Sequence, residues 1–389
     1  MNLINTYDLK PGQIFSMPVY TEGDCLLVPE MVPLRQKDID LLVTWGIEEV
    51  RTEGTLVEID EEPVLMVVEE EIPEEKAIIK FSISDVRKNS GPYRAYKNLI
   101  EKLNTVFTQI KSGADVEMRA IDNVCTLLLQ DINEHPDSFV GFILGGEVTG
   151  NELAKSSVNT AVLSALIAKE LNLPNHKIQN IVSAALIHDV GMLRLSKGIT
   201  EKKGGLSEAE LEQIKSHPLH TSKIITKELY GPREVNLIAL QHHERWDGKG
   251  YPDHILGPAI DIGARIISVA DAFEAMVSKK SYRNSMIGYQ AIKNLMADNA
   301  RRFDPAVIGI FTKIMGIYPI GSIVRLNNGS IARVVSIHTN APLRPVIQML
   351  MDDKGKVLDI NNPKTIDLLI EKTLFIKNAI DPAEYEASM

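Results

Sequence analysis

Histidine is concentrated in one part of this 389-residue chain, where six of the nine histidines lie between positions 188 and 254. His188 is followed directly by Asp189, and His242 is followed directly by His243. Neutral imidazole and carboxylate together are the ligands of zinc, iron or manganese hydrolytic centres. Surface histidines would be scattered along the chain, so this clustering predicts a metal centre.

Asp189 and Asp271 stand at positions where a carboxylate is unusual. The apolar residues of 178–185 fall on one stripe of a predicted helix, and Asp189, one turn beyond Ala185, continues its buried face. Asp271 lies on the apolar stripe of a second predicted helix over residues 260–279. An unpaired carboxylate on a buried face is costly unless a cation or several donors compensate for it. Both aspartates are therefore predicted to face a cation or several hydrogen-bond donors.

His242 and His243 end a predicted helix around residues 235–241. Adjacent side chains of a helix diverge by about 100°, so these imidazoles can flank a site that holds two metals, or one metal and a substrate. A carboxylate shared between two cations is the usual device of two-metal sites. Such sites place the ions about 3.5–4 Å apart and stabilise both the attacking and the leaving oxygen at phosphorus. A single histidine or aspartate is more often structural, but the combination is much harder to explain in that way and favours a metal centre.

The segments that carry these residues resemble the motifs of the HD-GYP family. Residues 242–252, His-His-Glu-Arg-Trp-Asp-Gly-Lys-Gly-Tyr-Pro, are similar to its highly specific HHExxDGxGYP signature. Residues 188–191 resemble its HDxG element, residues 215–218 resemble the segment with its downstream histidine, and residues 265–271 resemble its ARIxxVxD helix. The match covers about residues 150–320. The resemblance implies an all-α HD bundle whose members hydrolyse cyclic di-GMP to linear pGpG or to GMP, using two or three iron or manganese ions.

The resemblance also implies a role for each matching residue. The implied metal ligands are Glu152, His188, Asp189, His217, His242, His243 and Asp271. Asp189 would bridge two cations, and Asp189 and His188 would form the catalytic pair. His188 and Asp271 would complete the first cation site, and the three remaining histidines would complete the second. Glu152 matches the extra glutamate of members with three metals.

This chain departs from the family pattern at positions that matter for catalysis. Ser156 stands where the family has the first metal's histidine, and Met192 stands where it has a phosphate-binding lysine. Lys280 replaces an expected arginine, although Arg283 remains. Tyr251 can donate a hydrogen bond to phosphate, so Tyr251, Lys280 and Arg283 are the predicted substrate contacts. Because the second-metal residues are all present, the sequence predicts a metal site with weak hydrolysis of cyclic di-GMP.

Composition limits the classes of partner and compartment. A net charge of −10 and a pI near 5.5 argue against a polymeric nucleic acid, whose recognition needs a basic face. A small anionic substrate such as a cyclic dinucleotide stays open, because metals can supply local positive charge. The two cysteines, Cys25 and Cys125, fit a reducing, cytoplasmic setting. No signal pattern is evident, and no apolar run approaches the roughly 20 residues of a membrane helix.

The sequence predicts a multi-domain, mainly α protein, with a central all-α HD-type helical bundle between two small modules. The expected parts are an N-terminal α/β module (1–75), a helical linker and start of the core (76–149), the HD-GYP domain (150–319) and a β-rich C-terminal module (320–389). The predicted N-terminal elements are strands over 13–20, 25–28, 47–51 and 64–68 and a helix over 36–45. The predicted C-terminal strands are 321–326, 331–337, 346–350 and 356–358.

Two other functions stay open at this point. A degenerate HD-GYP module could bind a cyclic dinucleotide or a protein partner without turnover, because Ser156 and Met192 remove a ligand and a cation. An HD fold could also hydrolyse a different nucleotide, although the complete signature argues against it. Whether the chain forms a homo-oligomer or has a signalling partner also stays open.

Overall fold

The computed structural model describes residues 2–57 with short gaps, 91–145, 152–278 apart from 201 and 203, 288–298, 301–338, 341–358 and 364–380. The chain forms two compact units. One unit combines the two ends of the chain, Met1–Ser82 and Gly316–Met389, and the other comprises Ile83–Met315. The described part of the first unit holds antiparallel sheets, and the second is helical, which confirms the predicted fold class. Among the described residues, no helix is both long and apolar enough to span a bilayer.

The N-terminal part of the first unit contains a four-stranded antiparallel sheet in the order β1-β4-β2-β3. Its strands are β1 (Asn2–Asn5), β2 (Val19–Tyr20), β3 (Leu26–Val28) and β4 (Glu49–Thr52). The predicted strand over 13–20 is shorter than expected, and β1 is absent from the sequence-based prediction because its four residues show no alternation. The predicted strand over 64–68 and part of the predicted helix over 36–45 lie outside the described residues.

The C-terminal part of the first unit contains a five-stranded antiparallel sheet in the order β8-β7-β6-β5-β9. Its strands are β5 (Ile323–Leu326), β6 (Ile331–Ser336), β7 (Val346–Met351), β8 (Thr365–Asp367) and β9 (Ile376–Ile380). Three predicted strands are confirmed within a few residues. The predicted strand over 356–358 is wrong, since only an isolated bridge between Met351 and Val357 forms there. β8 and β9 complete the sheet instead.

Arg35 joins the two ends of the chain within the first unit. Its Nη1 donates to the carbonyl of Ile376 at 3.2 Å, and its guanidinium lies 4.7 Å from the ring centroid of Phe375. Its Nε also donates to Asp38 at 2.8 Å, and Asp38 is 1% exposed. The N-terminal module and the C-terminal sheet therefore share a partly buried, hydrogen-bonded contact.

The second unit consists of helices that position the predicted ligands. The described helices are α1 (Gly91–Ser112), α2 (Arg119–Glu134), α3 (Pro136–Gly145), α4 (Glu152–Glu170), α5 (Asn175–Ile187), α6 (Lys197–Thr200), α7 (Glu208–Lys215), α8 (His217–Lys223), α9 (Arg233–Gln241), α10 (Ile262–Val277), α11 (Gly288–Ala297) and α12 (Pro305–Met315). Helix α7 begins with the predicted capping box of Ser207 and Glu210. Helix α4 carries small and apolar side chains on all faces and is buried against α5, α10 and α1.

Candidate metal centre

The candidate ligands lie at helix ends and on one helix interior. Helix α5 ends at Ile187, His188 follows as its C-cap, and Asp189 turns the chain into a short 3-10 segment, Val190–Arg194. The prediction that Asp189 continues the face of α5 is therefore wrong, since its φ of −102° and ψ of 6° are not helical. Asp271 lies within α10, as predicted. The Asp189 side chain is 25% exposed and that of Asp271 is 19% exposed, so both face an accessible site.

Three imidazoles share one hydrogen-bonding arrangement. In His188, His217 and His242, Nδ1 donates at 2.7 Å to the backbone carbonyl three residues earlier. A carbonyl oxygen can only accept, so each Nδ1 carries a proton. In a neutral ring this leaves the Nε2 lone pair free, and the three Nε2 atoms lie around Asp189. Metal-bound histidines usually have this outer hydrogen bond, because it fixes the tautomer and orients the ring.

Asp189 divides its two carboxylate oxygens between two sets of ligands. Oδ1 lies 3.0 Å from Nε2 of His217 and 3.7 Å from Nε2 of His242. Oδ2 lies 3.5 Å from Nε2 of His188. Ligand atoms lie within 4.8 Å of one another in a four-residue group (Asp189, His217, His242, His243) and in a three-residue group (His188, Asp189, Asp271). Asp189 belongs to both groups, which is the arrangement of a carboxylate that bridges two cations.

The three-residue group has the chemistry of a cation site. Nε2 of His188 is buried and has no hydrogen-bond partner among the described residues. Carboxylate oxygens of Asp189 and Asp271 nevertheless lie 3.5 Å and 3.6 Å from it. A nitrogen lone pair that faces two carboxylates needs a positive charge between them, either a proton or a metal. Mixed nitrogen and oxygen donors suit zinc, iron or manganese.

The electrostatics of this group follow from its burial and its charges. Burial alone would lower the pKa of His188, but the carboxylates of Asp189 and Asp271 outweigh it and raise that pKa to about 9. Burial would raise the pKa of Asp271, but its contact with His188 lowers it to about 2. Despite burial, His188 and His217 hold the pKa of Asp189 well below its ordinary value. Both carboxylates are therefore ionised at neutral pH.

His242 and His243 are kept neutral by their surroundings. Burial lowers the pKa of His242, and charges on His188 and His217 lower it further, although Asp189 acts in the opposite direction. Burial, together with His242 and His217, lowers the pKa of His243 well below its ordinary value. Neutral imidazole is the form that binds a metal, so the four-residue group is ready to bind without prior deprotonation of these two rings.

The loop that follows α9 is fixed by a buried carboxylate. Glu244 is 2% exposed and accepts hydrogen bonds from the N–H groups of Asp253 at 2.6 Å and Ile255 at 3.0 Å. Gly250 packs directly on this residue, since a Cβ at Gly250 would lie 2.5 Å from Cα of Glu244. The loop therefore has a fixed path beside the histidines.

Tyr251 is the side chain that this loop presents to the site. Its ring lies against that of His243, with 4.8 Å between centroids and 32° between planes. Burial raises the pKa of Tyr251, the charges of Asp189 and Asp271 raise it further, and Arg302 lowers it. The hydroxyl is therefore protonated at neutral pH and can donate to an anionic ligand.

Gly191 allows two ligand segments to approach each other. Its N–H donates to Oγ1 of Thr221 at 2.9 Å, and that hydroxyl donates to the carbonyl of His188 at 2.9 Å. A Cβ at Gly191 would lie 2.2 Å from the carbonyl oxygen of His217. Glycine is therefore required for the spacing between His188 and His217.

Comparisons with known proteins identify two domains in this chain and relatives that span most of it. Residues 148–307 match the HD domain family, and residues 323–388 match the KOW domain associated with HD domain. The chain is 27% identical over 94% of its length to the cyclic di-GMP phosphodiesterase PdeB of Borreliella burgdorferi and covers 92% of that protein. It is 26% identical over 74% of its length to the cyclic di-GMP phosphodiesterase PA4108 of Pseudomonas aeruginosa and covers 72% of it.

A solved structure, the HDG"Y"P protein Bd1817 from Bdellovibrio bacteriovorus, covers 80% of this chain and 98% of its own, with 15% identity and a TM-score of 0.49. The match of the HD domain and the relatives that span most of the chain decide the assignment. Residues 148–307 belong to the HD domain family, and the motifs of the chain resemble those of the HD-GYP family. The HD-GYP signature corresponds to residues 242–252, which form the loop that carries Tyr251.

Four residues of the HD-GYP pattern lie outside the two groups of candidate ligands. Glu152 begins α4 with an exposed side chain and is in neither group. Met192 lies partly buried in the 3-10 segment after Asp189. Lys280 and Arg283 lie outside the described residues.

Glu274 and Arg302 lie near the candidate ligands and were not predicted from the sequence. Ser156 joins neither group, and its Oγ instead donates to Oε2 of Glu274 at 2.6 Å. Glu274 is a carboxylate on the apolar face of α10, so the anomaly that indicated Asp271 could also have indicated Glu274. The charge of Arg302 acts on Tyr251, and the carbonyl of Arg302 accepts from the N–H of Trp246 at 3.1 Å. No local sequence pattern signals that pairing.

Proposed function

We propose that this protein is a metal-dependent phosphodiesterase that hydrolyses cyclic di-GMP slowly, to linear pGpG, to GMP or to both. The observation that carries the proposal is the position of Asp189, whose two oxygens face separate sets of imidazoles. Relatives named cyclic di-GMP phosphodiesterases, which share most of the chain's length, support the substrate.

The residues of the two groups have distinct roles in this proposal. The three-residue group would hold one cation and the four-residue group another, with Asp189 contributing to both sites; iron and manganese are the metals proposed. When bound, the cations would neutralise charge that develops on the phosphoryl oxygens. His188 and Asp189 lie at the reacting centre, while Tyr251 donates to a phosphate oxygen. Lys280 and Arg283 are proposed to contact the phosphates. Glu152 would contribute only to a third cation.

Slow turnover follows from two side chains. Ser156 supplies no imidazole to the three-residue group, so this group has three protein ligands. Met192 supplies no cation for the substrate phosphates. Loss of a positioned charge-assisted contact costs about 1.5–3 kcal/mol, so both changes weaken substrate or metal binding without removing the four-residue group.

Product analysis tests this proposal. Freshly purified protein, supplied with Mn²⁺ or with Fe²⁺ under reducing conditions, is incubated with cyclic di-GMP and with a panel of other cyclic dinucleotides. We expect slow formation of pGpG or GMP, abolished in His217→Ala and retained in His220→Ala. His220 is a matched control because it lies on the same helix, α8, but in neither ligand group.

A binding function without turnover is the second candidate. It is favoured by the hydroxyl of Ser156, which is engaged by Glu274 rather than directed to the three-residue group. Tight binding of cyclic di-GMP with no product, at full metal occupancy, would establish this second function and exclude the hydrolase.

A further inference from the structure

A buried polar network lies where the HD-GYP pattern has a histidine. Oγ of Ser156 donates to Oε2 of Glu274 at 2.6 Å. On the other oxygen, Oε1, Nδ2 of Asn159 donates at 3.1 Å and Oγ of Ser278 donates at 2.6 Å. Glu274 is 1% exposed, and an unpaired carboxylate so deeply buried would be costly. Three donors therefore hold this carboxylate in one position.

The network extends to a third helix, and the charge of Glu274 shifts the pKa values of neighbouring groups. The hydroxyl of Tyr96, on α1, donates to Oδ1 of Asn159 at 2.5 Å, and both residues are fully buried. Burial raises the pKa of Tyr96, and the charge of Glu274 raises it further. Burial lowers the pKa of Lys155, while the charge of Glu274 raises it. Glu274 is thus a centre of negative charge that connects α1, α4 and α10.

Glu274 is also close to the candidate ligands along its own helix. It lies three residues after Asp271 on α10, and side chains at that spacing have Cβ atoms about 5–6 Å apart. Ligands of bound metals are commonly oriented by carboxylates that do not themselves touch the ion, and substitution of such partners costs about 10–100-fold in metal affinity or activity. Glu274 is buried and held by fixed hydrogen bonds, and it acts on Asp271 through the helix that carries both residues.

We propose that Glu274 is a positioning residue of the three-residue group. It fixes α10, and with it Asp271, against α4, and its charge favours a cation held by His188 and Asp189 together with Asp271. Ser156 and Asn159 are the donors through which α4 holds Glu274, so the hydroxyl of Ser156 has a structural role of its own. This inference rests on the proposed function only in taking the three-residue group as a metal site.

Metal titration of the full-length protein tests the proposal. Metal-free protein is titrated with Mn²⁺ by calorimetry, and its melting temperature is measured separately. We expect Glu274→Gln to weaken the weaker of the two Mn²⁺ sites by about 10–100-fold and to leave the tighter site unchanged.

Asp304→Asn is the matched control. Asp304 is 5% exposed, and its Oδ2 lies 2.8 Å from Nη1 of Arg265 on the same helix, α10. It therefore anchors α10 by a buried carboxylate outside both ligand groups. We expect this variant to lower the melting temperature and to leave both Mn²⁺ affinities unchanged.

A second pair of variants decides the outcome if Glu274→Gln does not fold. Ser156→Ala removes one donor to Glu274 and should weaken the same Mn²⁺ site, whereas Ser156→Thr keeps the hydroxyl and should preserve it. The proposal is overturned if Glu274→Gln or Ser156→Ala lowers only the melting temperature while both Mn²⁺ affinities stay unchanged. No nucleotide is present in these titrations, so absence of turnover with cyclic di-GMP would count against the proposed hydrolase alone.

Discussion

Oδ1 of Asp189 lies 3.0 Å from Nε2 of His217, although the two residues come from separate helix ends. A cation bound there would join these segments, so metal binding should stabilise the fold by mass action. The expected gain is about 2.7 kcal/mol at a free metal concentration 100 times the dissociation constant. We expect a chelator to lower the melting temperature of the metal-loaded wild-type protein. His220→Ala should keep this response and His217→Ala should lose most of it; equal melting curves with and without chelator in the wild type would contradict the prediction.

The stability of the metal-free protein should depend on pH through His188. Its pKa is raised from 6.5 to about 9 by Asp189 and Asp271. A raised pKa contributes stability that is fully present below pH 6.5 and is lost as the pH rises to about 9. We expect the free energy of unfolding in urea to fall over this window when a chelator is present, and to fall less at saturating Mn²⁺. His242 and His243, whose pKa values are lowered, contribute in the opposite sense below pH 6.5.

Gly191→Ala should disturb the metal centre through its backbone. The new Cβ would lie 2.2 Å from the carbonyl oxygen of His217 and 2.6 Å from the N atom of Thr221. Overpacking of this kind costs about 1–3 kcal/mol and moves backbone, so we expect lower stability and lower metal content, measured by urea unfolding and elemental analysis. Gly198→Ala is the control, since its Cβ would meet only Oγ of Ser196 at 3.9 Å. Equal metal content in the two variants would contradict the inference that the close contact between Gly191 and the backbone of His217 positions the metal ligands.

Arg302 should contribute to nucleotide binding. Its charge acts on Tyr251, and the described residues give its side chain no acidic partner. A hydrogen bond to a charged group is worth about 1.5–3 kcal/mol, so Arg302→Ala should weaken cyclic di-GMP binding by at least about tenfold at unchanged metal content. Arg301→Ala is the neighbouring control, because Arg301 is 68% exposed and pairs with Asp298. Unchanged affinity in Arg302→Ala would remove this side chain from the site.

Ser156→His should raise metal occupancy and the rate of hydrolysis together. An imidazole at position 156 could give one nitrogen to the cation and its other N–H to Glu274, which already accepts from Ser156. Ser156→Gln, which can donate to Glu274 but is a poor transition-metal ligand, should not produce the gain. Occupancy is measured by elemental analysis and the rate by product formation. A fall in both for Ser156→His would mean that this chain builds its first cation site differently.

The clustering of histidines and the apolar surroundings of Asp189 and Asp271 indicated a metal centre, whereas His217 was named through the resemblance to HD-GYP motifs. The stripes of α5 and α10 and the signature loop are short-range features, and the structure brings His188, Asp189 and Asp271 together. The turn at Asp189 was not predictable from periodicity, because a helix end depends on what its last residues contact. The pairing of Arg302 with Trp246 and the addition of β9 to β5 depend on contacts far apart in sequence.

The contact between Arg35 and Ile376 limits the order in which the two units can fold during synthesis. The helical unit, Ile83–Met315, is continuous in sequence and can begin to fold as soon as it leaves the ribosome. The unit formed by the two ends must wait, because its N-terminal portion is synthesised first and its packing partners last. During synthesis, Arg35 emerges before the strand β9 that supplies its acceptor, the carbonyl of Ile376. The contact between the two ends of the chain can therefore form only after synthesis has reached the C-terminal sheet.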